Sequence, residues 1–228
     1  MKKIVLITGV FVLLSAFSHA DAQARKVRFF VAPEFATLTS PDDVTDLYGS
    51  GIGASIGIEY LLSTKFSLVW MANYKKFTPD EESLLAEFDV ADEYPGATDI
   101  SIGDGTLHNI IVSLQAKVKL KGADSSFWPY LKGGVGYSLA GSEDFLFKFT
   151  DVGGSPMEES GFGIDVISAP SVLAAFGLEL KRGDNGSYFV EIGIEVSYLE
   201  IEEDEDDPDD VGGPLDLVTV PIRVGFSF

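Results

Sequence analysis

Residues 188–198 read YFVEIGIEVSY, and this stretch decides the fold. Its even-numbered positions carry only Tyr, Val and Ile, whereas Glu191, Gly193, Glu195 and Ser197 occupy odd-numbered positions. A period of two residues indicates a β-strand, because successive side chains of a strand point to opposite faces. The segment therefore predicts a strand with one apolar face and one charged face.

The same alternation recurs along the chain and predicts eight strands, at residues 27–37, 51–62, 65–77, 107–121, 127–140, 168–181, 187–199 and 217–228. Short connections at residues 63–64, 122–126 and 182–186 alternate with long ones at residues 39–50, 78–106, 141–167 and 200–216. An even strand number with this alternation is typical of a transmembrane β-barrel. We therefore predict an all-β, eight-stranded antiparallel up-and-down transmembrane barrel with short periplasmic turns and long acidic extracellular loops.

The composition excludes several classes of function. The chain has 228 residues, with 36 Asp and Glu against 16 Lys and Arg, and a formal net charge of -20. Such an acidic chain is not expected to bind nucleic acid, whose phosphates need basic partners. Because the chain contains no cysteine, disulfides, thiolate catalysis and cysteine-ligated metals are excluded.

The N-terminus has the pattern of a secretory signal peptide. Lys2 and Lys3 precede the apolar run at residues 4–17, and small residues at Ala22 and Ala24 fit a cleavage site. The run is shorter than the ~20 residues that a membrane-spanning helix needs. We therefore expect residues 1–24 to be a cleaved signal peptide and residues 25–228 to form one barrel domain.

Alternation by itself does not tell a membrane barrel from a water-soluble one, because the apolar face points outward in the first and inward in the second. Several predicted strands keep the alternation over the 9–11 or so residues that cross a bilayer. Aromatic residues near strand ends predict interfacial girdles. These are Tyr60, Phe66, Tyr74, Trp128, Tyr130, Tyr137, Tyr188 and Tyr198.

In each predicted strand, the polar residues occupy alternate positions, which we call the polar parity. These positions carry charges of both signs, as expected for a narrow lumen filled by ion pairs. The predicted lumen network consists of Arg28, Glu34, Glu59, Lys117, Lys119, Lys132, Glu179, Glu191, Glu195 and Arg223. Small residues of the same parity, such as Gly57 and Gly177, leave room for these long side chains. If the register is near ideal, Arg223 lies within a step or two of Glu34, Glu191 and Glu195 on the flanking strands, and we expect this cluster to plug the lumen. The alternative is that the charges line a wet channel.

The segments PYLKGGVGY at residues 129–137, GLE at 177–179 and VGFSF at 224–228 resemble the small eight-stranded outer-membrane barrels related to OmpA, OmpX, OmpW and the opacity proteins. The resemblance implies residence in the bacterial outer membrane, contact with its lipids, and a C-terminal signal read by the barrel-assembly machinery. That signal would consist of Ile222, Val224, Phe226 and Phe228. The peptidoglycan-binding domain of OmpA-type proteins is not expected here.

Catalytic and metal-binding chemistry is not expected. His108 is the single histidine outside the predicted signal peptide, and Ser113 lies on the opposite parity of its strand. The acidic run at residues 200–210 could attract Ca²⁺ or Mg²⁺, but it lacks the glycine position of an EF-hand, so a solvated loop is the simpler interpretation. We predict no enzyme activity, no cofactor and no specific metal site.

Pro33 and Pro221 fall mid-strand on the first and last predicted strands, which meet when the barrel closes. Each lacks an N–H donor. Two interpretations remain open here: a pair of tolerated β-bulges, or a weak seam that opens laterally and passes a small apolar molecule from the lumen to the lipid.

The sequence predicts a monomeric outer-membrane barrel with a salt-bridged lumen and a structural or surface-interaction role. Its loops would meet a surface ligand that the sequence does not identify. The first alternative is a narrow porin-like conduit for small solutes or small hydrophobic compounds. The second is a soluble periplasmic ligand-binding barrel.

Overall fold

The computed structural model describes residues 27–81, 83, 98–120, 126–150, 154–160, 166–182, 186–201 and 213–228. The predicted signal peptide and most of the acidic run at residues 200–210 lie outside these ranges.

The described residues contain eleven strands and one helix. They are β1 (Val27–Ser40), α1 (Asp42–Leu47), β2 (Ser50–Leu61), β3 (Phe66–Phe77), β4 (Thr98–Asp104), β5 (Leu107–Lys119), β6 (Phe127–Ser142), β7 (Phe145–Thr150), β8 (Pro156–Ser160), β9 (Ile167–Arg182), β10 (Gly186–Ile201) and β11 (Gly213–Ser227). Eight of them close a barrel in the order β1-β2-β3-β5-β6-β9-β10-β11, and β11 pairs with β1. All these pairs are antiparallel, which confirms the predicted fold class.

Burial follows the two-residue period, with the apolar parity outside. Trp70 is 63% exposed, Ile192 is 50% exposed and Ile194 is 46% exposed, whereas Glu191 and Arg223 are buried. A water-soluble ligand-binding barrel would have the opposite arrangement, so this alternative is wrong. An apolar outer face of this kind is favourable in contact with lipid hydrocarbon and unfavourable in contact with water. Among the described residues, no helix is long and apolar enough to cross a bilayer.

The closing seam between β1 and β11 is paired at both ends. Phe29 and Phe228 exchange two backbone hydrogen bonds of 2.9 Å, and the pairing continues to Val31↔Phe226. It then skips the positions around Pro33 and resumes at Glu34↔Arg223. The missing N–H of Pro33 therefore interrupts the seam at one place.

The seam hypothesis requires a correction for the second proline. Pro221 pairs with Ala36 across the seam without an interruption. The gap near Pro221 lies instead on its other side, where the β10–β11 pairing passes from Ile192↔Ile222 to Glu195↔Thr219. Backbone N–H groups of a strand point alternately to its two neighbours, and that of position 221 would point to β10. The two prolines thus affect different strand pairs.

The long-loop end contains elements that the two-residue pattern did not predict. Helix α1 has six residues, and β4, β7 and β8 form a separate sheet in the order β4-β7-β8. Apolar side chains of these elements pack into the barrel mouth, with Tyr48 and Phe145 both buried. We call this apolar cluster the cap; its buried members are Ala36, Leu38, Val44, Tyr48, Phe77, Leu107, Ala140, Phe145, Ala169, Leu199 and Leu217.

Candidate functional site in the barrel lumen

The ten charged residues of the predicted network all lie on the lumen parity. Nine are buried, and the side chain of Arg28, at the short-turn end, is 27% exposed. Their contacts divide them into two groups. The upper network, nearer the long loops, consists of Glu34, Lys75, Lys132, Glu191, Glu195 and Arg223. The lower network, nearer the short turns, consists of Arg28, Glu59, Lys117, Lys119 and Glu179.

Arg223 is the centre of the upper network. Its Nε donates to Glu34 Oε2 at 2.8 Å, and its Nη1 donates to Glu191 Oε1 at 2.9 Å. Its Nη2 donates to both Glu34 and Glu195. Strand register explains the geometry, because Arg223 is paired with Glu34 on β1 and with Glu191 on β10. Ser55 adds a 2.6 Å hydrogen bond to Glu34.

Lys75 belongs to the upper network but was missing from the predicted set. It is fully buried, pairs with Glu195, and donates to Thr219 Oγ1 at 2.9 Å. Its Nζ also lies 3.8 Å from Glu34. The alternation of β3 could have identified it, because the exposed Tyr74 places its neighbour in the lumen. With Lys75, the upper network has three cations and three carboxylates.

Glu179 is the centre of the lower network. It accepts hydrogen bonds from Lys117 at 2.8 Å, from Arg28 at 2.9 Å and from Lys119 at 3.2 Å. Lys117 also bridges to Glu59 at 3.3 Å. Three cations therefore face two carboxylates, which leaves this network with one excess positive charge.

Tyr130 connects the two networks. Its hydroxyl donates to Glu191 at 2.9 Å, and Lys117 Nζ lies 4.3 Å from the centre of its ring. The prediction that Trp128 and Tyr130 belong to an exterior girdle is wrong, because both are buried in the lumen. Both share the even parity of Lys132, which points inward. The other six predicted girdle residues are exposed on the outside.

Little free space remains between the networks. A cavity of about 20 Å³ lies there, lined by Phe30, Glu59, Val69, Lys117, Tyr130, Lys132, Phe189, Glu191 and Ser227. This volume is sufficient for about one water molecule. The lumen at this level is therefore filled by side chains.

Glycines on neighbouring strands allow this filling. The ring of Tyr130 covers Gly177, the ring of Phe30 covers Gly57, and that of Phe189 covers Gly225. A Cβ atom at Gly177 would overlap the Tyr130 ring. The small residues on the lumen parity thus make room for aromatic rings as well as for charges.

One wall of the lumen, formed by β3, β5, β6 and β9, carries uncharged polar residues in addition to its charged ones. It carries Asn73, Asn109, Ser113, Ser138 and Ser171, all buried. Among the described residues, Asn73 Oδ1, Asn109 Nδ2 and Ser171 Oγ have no hydrogen-bond partner in the protein. Buried polar atoms are normally paired with protein or water, so these three atoms are the places on this wall where water is expected to bind.

Within the apolar packing of the cap, Tyr48 makes a polar contact that joins two of the long connections. Tyr48 Oη donates to the backbone carbonyl of Gly105 at 2.6 Å. Gly105 has φ +66°, and a Cβ there would overlap the ring of Phe145, so the position requires glycine. Burial raises the pKa of Tyr48 to about 12, against the opposite effect of a hydrogen bond with Ser142.

His108 lies outside the lumen, at the long-loop end of β5. Its ring stacks on Tyr74 with centroids 5.9 Å apart, and its Nδ1 lies 2.8 Å from Tyr74 Oη. Its Nε2 lies 3.6 Å from Glu143. Among the described residues, no group of three or more His, Asp or Glu is arranged to hold a metal ion.

The residues of the predicted assembly signal lie on the outer face of β11 and at its end. Ile222, Val224 and Phe228 are exposed, and Phe226 is half-buried. Phe226 stacks on Phe228 and also contacts Tyr188. The C-terminal segment therefore presents a continuous apolar and aromatic surface.

No protein-family model matches the chain, and no curated protein sequence matches it. Solved structures of similar fold include Neisserial surface protein A, at 13% identity and a TM-score of 0.49, over 90% of this chain and 98% of that chain. Outer membrane protein OprG from Pseudomonas aeruginosa has 13% identity and a TM-score of 0.45, over 91% and 98%. Outer membrane protein AlkL has 14% identity and a TM-score of 0.46, over 93% and 94%.

These similarities concern the fold alone. At such identities and TM-scores, the assignment of the eight-stranded barrel rests on the strand pairing and the outward apolar face of this chain itself.

Proposed function

We propose that the protein is a monomeric integral barrel of the bacterial outer membrane, with a closed lumen and a structural or surface-interaction role. The observation that supports the closed lumen is the pairing of its buried charges. Each of the eleven lumen charges in the two networks has an oppositely charged partner within 4.0 Å. Paired and hydrogen-bonded ions tolerate a small interior, whereas an unpaired buried ion costs several kcal/mol.

Two further features support a closed lumen. The cap covers the long-loop end with apolar side chains, among them Phe145 and Leu217. The cavity between the networks holds about one water molecule. A solute entering from either end would therefore have to displace packed side chains.

The surface-interaction role is proposed from the sequence of the long connections. Residues 41–49, 78–106, 143–166 and 202–212 contain 26 Asp and Glu but one basic residue, Lys148. Such a density of charge attracts cations and cationic surfaces at long range. We propose no enzyme activity and no cofactor.

Membrane lipids and the barrel-assembly machinery are the partners that we propose. The exposed apolar face of the strands requires lipid around it, and the closed barrel leaves no free strand edge for a second copy.

We propose export by a cleaved signal peptide at residues 1–24. Fractionation should recover the mature chain with outer membranes, and unboiled samples should migrate differently from boiled ones on a gel. Recovery in the periplasmic soluble fraction would refute membrane residence.

Single-channel recording in planar bilayers tests the closed lumen. We expect the folded wild-type protein to give no stable current, because paired charges and packed side chains occupy the lumen between the two networks. A stable current from the wild-type protein would refute the closed lumen and leave the membrane barrel intact.

The second candidate function is a narrow conduit for small solutes. It is favoured by the uncharged polar residues on the lumen faces of β3, β5, β6 and β9, where three polar atoms have no hydrogen-bond partner within the described part of the chain. If the wild-type protein does give a stable current, Ser171→Leu should reduce it, since the leucine side chain would cover the polar wall beside Ser113. The matched control is Val172→Leu, on the exposed outer face of the same strand. Equal currents in the two variants would exclude a path along this wall.

A further inference from the structure

Exposed charges are distributed unevenly along the barrel axis. At the short-turn end, the exposed ionic side chains of the described residues are Lys65, Lys181 and Arg182. The carboxylates at that end, Glu59 and Glu179, are buried in the lower network. In the sequence, the turn segments 62–65, 120–126 and 181–186 hold four basic residues and two acidic ones. The long connections are strongly acidic by contrast.

Arg182 has a defined position on the outer face of this end. Its guanidinium carbon lies 5.3 Å from the ring centre of Tyr188 and 5.8 Å from that of Phe226. Both distances are within the range of a cation–π interaction. No carboxylate partner of Arg182 occurs among the described residues. The two rings therefore position the charge of Arg182 on the outer face of the barrel.

The aromatic rings indicate the depth of this group in a membrane. Tyr188 is exposed on the outer face, and Phe226 stacks on Phe228 with ring centres 5.9 Å apart. Aromatic side chains on the outer face of a barrel concentrate at the boundary between hydrocarbon and headgroups. A guanidinium that covers these rings lies at the level of the lipid phosphates.

We infer that the outer rim at the short-turn end, centred on Arg182, binds the phosphate groups of anionic phospholipids. This inference rests on the proposed membrane residence. A guanidinium can donate two parallel hydrogen bonds to a phosphate, and the aromatic contacts restrict its orientation beforehand. Lys65 and Lys181 add positive charge around the same rim, which favours anionic over zwitterionic headgroups. The acidic connections at the other end repel the same lipids.

Native mass spectrometry of the folded protein tests the inference. The probe is an equimolar mixture of phosphatidylglycerol and phosphatidylcholine in a neutral detergent, and the measured quantity is the ratio of the two lipids retained. We expect the wild-type protein to prefer phosphatidylglycerol, and Arg182→Gln to reduce this preference about fivefold. Arg182→Lys keeps the charge and should retain part of the preference.

Lys76→Gln is the matched control, since Lys76 is an exposed cation at the opposite end of the barrel. It should leave the lipid ratio unchanged. An equal effect of Lys76→Gln and Arg182→Gln, or no effect of Arg182→Gln, would overturn the inference. Full displacement of phosphatidylglycerol by inorganic phosphate would also overturn it, because the site would then bind free phosphate.

Insertion of the protein into lipid vesicles separates this inference from the proposed function. Failure of the wild-type protein to insert into vesicles of either lipid would overturn membrane residence, and the inference with it. Insertion accompanied by equal retention of the two lipids would overturn the phosphate site alone. Should Arg182→Gln fail to fold, Arg182→Lys still tests the inference. Loss of the guanidinium must lower the preference for phosphatidylglycerol below that of the wild-type protein, and an unchanged preference would overturn the inference.

Discussion

Replacing Arg223 with methionine should destabilise the barrel strongly. Arg223 is 2% exposed and donates hydrogen bonds to three carboxylates. Without it, the upper network keeps three carboxylates but only two ammonium groups. Glu34 would retain Lys75, at 3.8 Å, as its one cationic partner among the described residues.

The expected loss follows from the cost of leaving a buried charge unpaired. Removing one partner of a buried ion pair typically costs about 3–5 kcal/mol. The separate hydrogen bonds of Arg223 do not add to this figure, because its three carboxylate partners keep other contacts. Glu195 stays paired with Lys75, Glu191 stays paired with Lys132, and Glu34 still accepts a hydrogen bond from Ser55. We therefore expect Arg223→Met to lower the free energy of unfolding by about 3–5 kcal/mol.

Urea titration of the folded barrel in vesicles measures this effect, with the heat-modifiable gel shift as a second probe. The double variant Arg223→Met/Glu34→Gln removes one charge of each sign and should recover a large part of the loss, about 2 kcal/mol or more. Lys148→Met is the surface control. Lys148 lies 3.7 Å from Glu158 with both side chains exposed, so its loss should cost less than about 1 kcal/mol.

A loss below about 1 kcal/mol for Arg223→Met would refute this reasoning. It would mean that water screens the upper network, as in a wet channel. A double variant that is less stable than the single one would equally refute the pairing of Arg223 with Glu34.

Three further predictions concern packing, the cap and the seam. Gly177→Val should reduce the folded fraction on gels, since the new side chain overlaps the Tyr130 ring, at a cost of about 1–3 kcal/mol. Absorbance titration should find that Tyr48 ionises near pH 12, because burial disfavours the phenolate; cap stability should hold below about pH 10 and fall as the pH rises from 10 to 12. Pro33→Val should slow hydrogen exchange at the β1–β11 seam, whereas Pro221→Val should act on the β10–β11 pair.

Each of these has a control. Gly133→Val faces outward, where a Cβ meets only ordinary contacts, and should be tolerated; equal damage from both glycine variants would contradict the packing argument. Tyr48→Phe should lack the component that titrates near pH 12, and an unchanged titration would contradict the assignment. Slower exchange at the seam in Pro221→Val would contradict the register.

The sequence predicted the strands closely because a strand's period of two is a local property. Residues 187–199 were expected for the strand that the structure places at Gly186–Ile201. Parity also placed Arg223, Glu34 and Glu191 on the same face of the barrel, and an assumed near-ideal register made them neighbours. The same rule could have identified Lys75, whose adjacent Lys76 points outward. Trp128 and Tyr130 were misplaced because their position near a strand end was weighted above their parity.

The cap could not be predicted in this way. Helix α1 has six residues, and β8 has five, so neither carries a long period. Such short elements depend on the surfaces that they cover more than on intrinsic propensity. Tyr48 and Gly105 meet only because the barrel mouth brings two connections together.

The amino-acid sequence by itself determined which residues of a strand share a face, because side chains alternate along a strand whatever lies beside it. Alternation did not decide which of the two faces points outward. Only the tertiary structure decided which charges pair, where the excess cation lies and how the mouth is covered. Arg223 and Glu34 are 189 residues apart in the chain and 2.8 Å apart in space. Closure and stagger of the barrel set such distances, and they depend on all eight strands at once.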